Sequence, residues 1–201
     1  MLQTWFIRRT GIAAGAADLN AVLTRLRSFE EREHAMQARW LHSYALRESD
    51  GRFGLACLFQ ADQVSTLQRH AGLLALPADE ILPVEATRVR RAFAPSLVYL
   101  VRRRGLCRCE DDFTRCAEIA RRIGEEEMPS KLSWLHSYIV REHDGLLGSV
   151  CLYQGVDARA LREHAERAGL SADEITPVLG RIIFRATPTH VHADPSQVVP
   201  A

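Results

Sequence analysis

Trp40-Leu41-His42-Ser43-Tyr44 recurs as Trp134-Leu135-His136-Ser137-Tyr138, and the shift of 94 holds without a gap to the end of each copy. Asp50-Gly51, Gly54, Cys57-Leu58, Gln60, Leu67, His70-Ala71, Ala78-Asp79-Glu80-Ile81 and Pro83-Val84 all reappear 94 positions on. From Trp40 to Ala92 against Trp134 to Ala186 there are 25 identities in 53 pairs, far beyond chance. The front parts match more weakly at the same shift, Phe6-Ile7-Arg8-Arg9 with Gly11 against Leu100-Val101-Arg102-Arg103 with Gly105. A period near 94 is too long for a solenoid unit of about 20 to 50 residues, so each copy reads as a domain. The domains are 1–93 and 94–187, with 188–201 a loose, proline-containing tail.

Within one copy the pattern predicts a strand over Thr4–Arg9 and a helix over Ala17–Met36 with Leu19, Val22, Leu23, Leu26 and Phe29 at helical spacing and Asp18 as cap. A strand over Arg39–Arg47, a hairpin turn at Asp50-Gly51 and a return strand over Gly54–Gln60 follow. A second helix over Asp62–Leu74 and a last strand over about Ile81–Arg90 complete the copy. The order βαββαβ is the ferredoxin-like pattern, an antiparallel four-stranded sheet with both helices on one face. A second copy is the natural cover for the other face. The expected fold is therefore α+β, two ferredoxin-like domains forming an intrachain pseudo-dimer of the dimeric α/β-barrel type.

Lys plus Arg at 26 against Asp plus Glu at 25 leave a net charge of +1, so there is no basic field to gather phosphates, and nucleic acid is not an expected partner. The longest apolar runs, such as Leu97–Val101, are strand-length, and no membrane partner is expected. The start Met1-Leu2-Gln3-Thr4-Trp5 lacks a signal-peptide pattern, and five cysteines suit a reducing compartment, so a cytoplasmic location is expected.

Strict strand alternation puts Trp40, His42 and Tyr44 on one face, and Trp134, His136 and Tyr138 likewise, an aromatic floor with polar tips suited to a pocket lining. The bland alternative is that aromatics favour strands and a half-buried His finds backbone partners. His70 and His164 recur on the second helix although their neighbours Arg69 and Glu163 do not. Imidazole suits nickel, zinc and copper, so His42, His70, His136 and His164 are the candidate metal ligands, in two sites or one shared site. Cys57 and Cys151 recur on the return strand and join the candidate pocket lining, although a buried core thiol is the favoured reading. Cys107, Cys109 and Cys116 face Ala13, Gly15 and Val22 in the other copy, so no repeated function needs them. His34 and His143 face Met128 and Ser49, and His190 and His192 fall in the tail. Glu30, Glu31 and Glu33 with Glu125, Glu126 and Glu127 read as a solvated helix end that pairs with Arg8-Arg9 and Arg102-Arg103-Arg104.

The Trp-x-His-Ser-Tyr strand, the Cys-hydrophobic-aromatic return strand at Cys57–Phe59 and Cys151–Tyr153, and the His-Ala pairs at His70 and His164 resemble a bacterial domain-of-unknown-function family of small ferredoxin-like nickel-binding proteins. The resemblance implies a βαββαβ domain that dimerises, with the strand and helix histidines as the first places to look for metal. Members are usually single-copy, so the duplication would build the dimer into one chain, with room for further homodimerisation. The leading expectation is a non-catalytic nickel- or zinc-binding protein with no organic cofactor and a metal ion or small molecule as its ligand. One alternative is a dimeric α/β-barrel enzyme, with His42 or His136 as general acid or base on a small organic substrate. The other is a structural or partner-binding module in which these residues pack an interface. Retention of the aromatic and His set in both copies favours a symmetric role.

Overall fold

The computed structural model describes residues 2–32, 38–89 and 97–183. Glu33, His34, the connector at 92–96 and the tail with His190 and His192 lie outside the described residues. In chain order the elements are β1 (Gln3–Ala13), α1 (Ala16–Arg32), β2 (Ala38–Arg47), β3 (Phe53–Ala61), α2 (Val64–Leu73) and β4 (Glu80–Val89). They continue as β5 (Leu97–Cys107), α3 (Glu110–Arg122), β6 (Leu132–Arg141), β7 (Leu147–Gly155), α4 (Ala158–Arg167) and β8 (Glu174–Ile183). The α+β order is the one read from hydrophobic spacing. Asp18 lies in the first turn of α1, which begins earlier than expected, and does not cap it. A true side-chain cap is found at α4, where Asp157 accepts from the Ala160 amide at 2.7 Å.

The hairpins follow their turn chemistry. Gly51 and Gly145 hold φ of 82° and 85°, which glycine adopts without a Cβ penalty, and Asp50 and Asp144 accept from the amides of Arg52 and Leu146. All eight strands pair antiparallel into one closed barrel in the order β1-β3-β2-β8-β5-β7-β6-β4. β4 pairs with β1 on one side and β6 on the other, while β8 pairs with β5 and β2. Closure at these two seams leaves no open sheet edge.

Closure also gives every strand two buried faces, which is why β3 and β7 are apolar almost throughout rather than alternating. Outward side chains form two cores beneath the helices. One is built from Ile7, Trp40, Leu55, Cys57, Phe59, Leu26 and Leu67, the other from Val101, Ile123, Cys151, Tyr153 and Leu161. Inward side chains of both halves meet in a third core, including Phe6, Tyr44, Leu58, Leu82, Leu100, Tyr138 and Leu152. Burying a residue of this size contributes roughly 1.5–3 kcal/mol, so the barrel interior is a main source of cohesion between the halves.

The interior is layered along its axis. The inward positions of β2 are His42, Tyr44 and Leu46, and Glu48 follows just past the strand end. At that end Arg8 lies 2.8 Å from Glu48 and 2.6 Å from Glu174, and Arg102 lies 2.7 Å from Glu142 and 3.3 Å from Glu80. Each arginine thus takes one carboxylate from its own half and one across a seam. These partners correct the expected pairing with the glutamates at the ends of the first helices. The opposite end of the barrel carries the histidines and tyrosines.

Candidate functional site

The site is made by a β-bulge that alternation alone does not reveal. On β2, Trp40 pairs with Phe59 and His42 with Leu58, so Leu41 and His42 together oppose one residue of β3. β6 repeats it, with Trp134 opposite Tyr153 and His136 opposite Leu152. The extra residue shifts the pleat by one step. Trp40 therefore faces the helices with Ser43, to whose Oγ its indole N–H donates at 2.9 Å, and Trp134 donates to Ser137 at 2.8 Å. His42 and Tyr44 face the barrel interior, as do His136 and Tyr138. The expectation that Trp, His and Tyr share one face is corrected by this bulge.

Inside the barrel the two strands bring four groups together across the molecule. The Tyr44 and Tyr138 hydroxyls are 3.2 Å apart, and Tyr138 Oη is 2.9 Å from His42 Nε2. A consistent direction has Tyr44 donating to Tyr138 and Tyr138 donating to His42. The His136 ring lies 4.3 Å from the Tyr138 ring, and its buried Nε2 has no hydrogen-bond partner among the described residues. Arg181, paired in register with Tyr44, sits exposed at the mouth with its guanidinium 5.8 Å from the Tyr44 ring centre.

Electrostatics fix the protonation of the cluster. Burial, then the charges of Arg181 and His136, lower His42 to about 3. Burial followed by Arg181 lowers His136 to about 4. Burial pushes both tyrosines up, Tyr138 well above its ordinary value. At neutral pH the site thus holds two neutral imidazoles and two neutral phenols, able to give and take protons without carrying charge.

The helix histidines belong to the opposite side of the sheet. His70 Nε2 lies 3.1 Å from Glu30 Oε1, between the edges of Phe29 and Phe59, with both side chains almost fully enclosed. Glu30 also accepts from the Trp40 amide at 3.2 Å, so it is a buried connector between α1, α2 and β2 rather than a solvated helix end. Gly124 stands at the equivalent place in the second half, and His164 Nε2 there donates to the Ala120 carbonyl at 2.8 Å. Cys57 and Cys151 are also in the helix-facing cores, where burial pushes the Cys57 thiol up and Ser137 donates to Cys151 Sγ at 2.9 Å. Of the expected pocket lining, only Tyr44 and Tyr138 join the inner histidines. Arg181 was missed. Thr87, its counterpart 94 positions earlier, hid Arg181 from a search confined to repeated residues.

A family model described as nickel responsive protein SCO4226-like matches residues 101–178, which supports a family of this kind. No curated protein matches. Among solved structures, chlorite dismutase from Candidatus Nitrospira defluvii in complex with imidazole is similar at a TM-score of 0.51 and 8% identity, over 90% of each chain. An anthrone oxidase-like protein is similar at a TM-score of 0.44 and 10% identity, over 93% of this chain and 96% of that one. A heme-binding protein from Thermus thermophilus is similar at 0.41 and 10% identity, over 91% and 90%. At such identities the likeness is one of fold.

These findings overturn the expected non-catalytic nickel or zinc protein built on a His pair in each repeat. The similar structures include a chlorite dismutase. The paired histidines lie on opposite sides of the sheet, and no group of three or more His, Cys, Asp or Glu among the described residues could hold a metal ion. The described residues therefore offer nickel no such set of ligands. The expected absence of an organic cofactor is likewise not upheld; the likeness to chlorite dismutase is one of fold and assigns no cofactor to this chain. Of the four repeated histidines, His70, His164 and His42 have Nε2 engaged, and His136 Nε2 has no hydrogen-bond partner among the described residues. No helix among the described residues is long and apolar enough to cross a membrane.

Proposed function

We propose that residues 1–93 and 94–187 are two ferredoxin-like copies forming a dimeric α/β barrel within one chain, and that the barrel acts on a small organic molecule by proton transfer. The observation that carries the reading is the cluster His42, Tyr44, His136 and Tyr138, built from equivalent strands and open to solvent on the side of His136 and Arg181. A neutral imidazole with a vacant nitrogen can serve as a general base, and a hydrogen-bonded phenol pair can steady the charge that develops on the substrate. The engaged nitrogen of His42 suits it to a supporting role, holding Tyr138.

The test is deuterium uptake into a panel of small aromatic ketones and phenols in D2O, followed by NMR with the whole chain. Protein-dependent exchange into at least one compound is expected, lowered by roughly 10²-fold or more in His136→Gln and to a lesser extent in Tyr138→Phe. Exchange and binding that are indifferent to both substitutions for every compound would refute the reading and leave the cluster as an interface between the two halves.

A further inference from the structure

We infer that the site takes one small monoanion per chain, its charge held by Arg181 and a polar group turned to His136 Nε2; this rests on the proton-transfer reading above. The histidines and tyrosines repeat at the shift of 94, but the residue facing each tyrosine across the seam does not. Tyr44 pairs with Arg181, whereas Tyr138 pairs with Thr87. Among the described residues the duplicated frame therefore carries a single cation at its mouth.

Two departures from symmetry coincide there. Among the described residues no carboxylate pairs with Arg181, whereas Arg8, Arg102, Arg104 and Arg141 all have glutamate partners. His42 Nε2 is held by Tyr138, but His136 Nε2 has no partner although it is buried. An unpaired cation and a vacant imidazole nitrogen at one mouth are complementary to a compact molecule with a negative oxygen and a second polar group. The four ring groups are neutral, so among the described residues Arg181 sets the sign of the local field, and that field reaches all four. The surrounding inner wall is apolar and aromatic, with Tyr44, Tyr138, Leu135 and Val178, which favours an aromatic or enolic body over a sugar or phosphate.

Benzoate and its neutral analogue benzyl alcohol are the probes, titrated into the full chain by calorimetry and NMR. Benzoate is expected to bind one per chain, roughly tenfold or more tighter than benzyl alcohol, and more weakly as salt screens the exposed charge. Arg181→Thr should remove that preference, Arg181→Lys should restore part of it, and Thr87→Arg should raise the stoichiometry towards two. No measurable benzoate binding, two equal sites in the unaltered chain, or a preference untouched by Arg181→Thr would each overturn the inference. If Arg181→Thr is silent while His136→Gln still abolishes proton exchange, only this inference falls. If His136→Gln changes neither exchange nor probe binding, the proton-transfer reading falls with it.

Discussion

His42 and His136 are neutral because the fold refuses them protons, and that refusal has a measurable cost. Their pKa values fall from an ordinary 6.5 to about 3 and about 4 on folding. Between those values the unfolded chain binds protons that the folded chain does not. Stability is therefore full above about pH 6.5 and declines as pH drops towards 4. Denaturant midpoints measured across this window should fall on acidification, and the double variant His42→Gln with His136→Gln should flatten the profile. His164, lowered by burial, should leave a remnant slope. A midpoint that rises on acidification would contradict the assignment. Glu30 makes a separate prediction. Replacing it with Ala removes a buried partner of the Trp40 amide and of His70 and should cost about 1–3 kcal/mol, read by denaturant unfolding, without altering probe binding in the barrel.

At the scale of elements, strand and helix positions were legible because hydrophobic spacing and Asp-Gly turns report local geometry directly. The faces of β2 and β6 were not. A bulge inserts one residue without changing composition, so Leu41 and Leu135 look like ordinary strand residues until the partner strands are seen. The buried role of Glu30 was hidden for a similar reason, since its partners come from two other elements and Gly124 occupies its place in the second half. Gly54 and Gly148 were visible as repeated glycines, and the structure supplies the reason. A Cβ at either would lie 2.7 Å from a backbone oxygen, of Arg9 or Arg103, and would strike the Glu48 or Glu142 carboxylate. Gly54→Ala and Gly148→Ala should each cost about 1–3 kcal/mol, measured by thermal unfolding, and should displace the arginine beside them. Unchanged melting in both would show that the carboxylates move aside freely.

For the whole molecule, the repeat in the sequence pointed to two units, but the strands that join them belong to one barrel. β2–β8 and β4–β6 pairing, the shared interior and the Arg8–Glu174 and Arg102–Glu80 contacts all cross between the halves. Burial raises the Glu174 carboxyl, but the hydrogen bond and charge of Arg8 outweigh it and hold the group below its ordinary value. The two halves should accordingly unfold together. Far-ultraviolet circular dichroism and the fluorescence of Trp5, Trp40 and Trp134 should trace one coincident transition, and two resolved transitions would contradict a shared core. What a search for repeated residues passed over was the asymmetry at Arg181, because it looks to what is kept rather than to what differs.

The most direct test of the barrel-interior site is histidine-selective ¹⁵N NMR of the full chain at neutral pH, recorded with and without benzoate. Neutral imidazoles are expected at His42 and His136, with resonances that move on addition of benzoate, while His70 and His164 stay unmoved beneath the helices. Movement confined to His70 and His164, or a charged imidazole at His136 before benzoate is added, would contradict it.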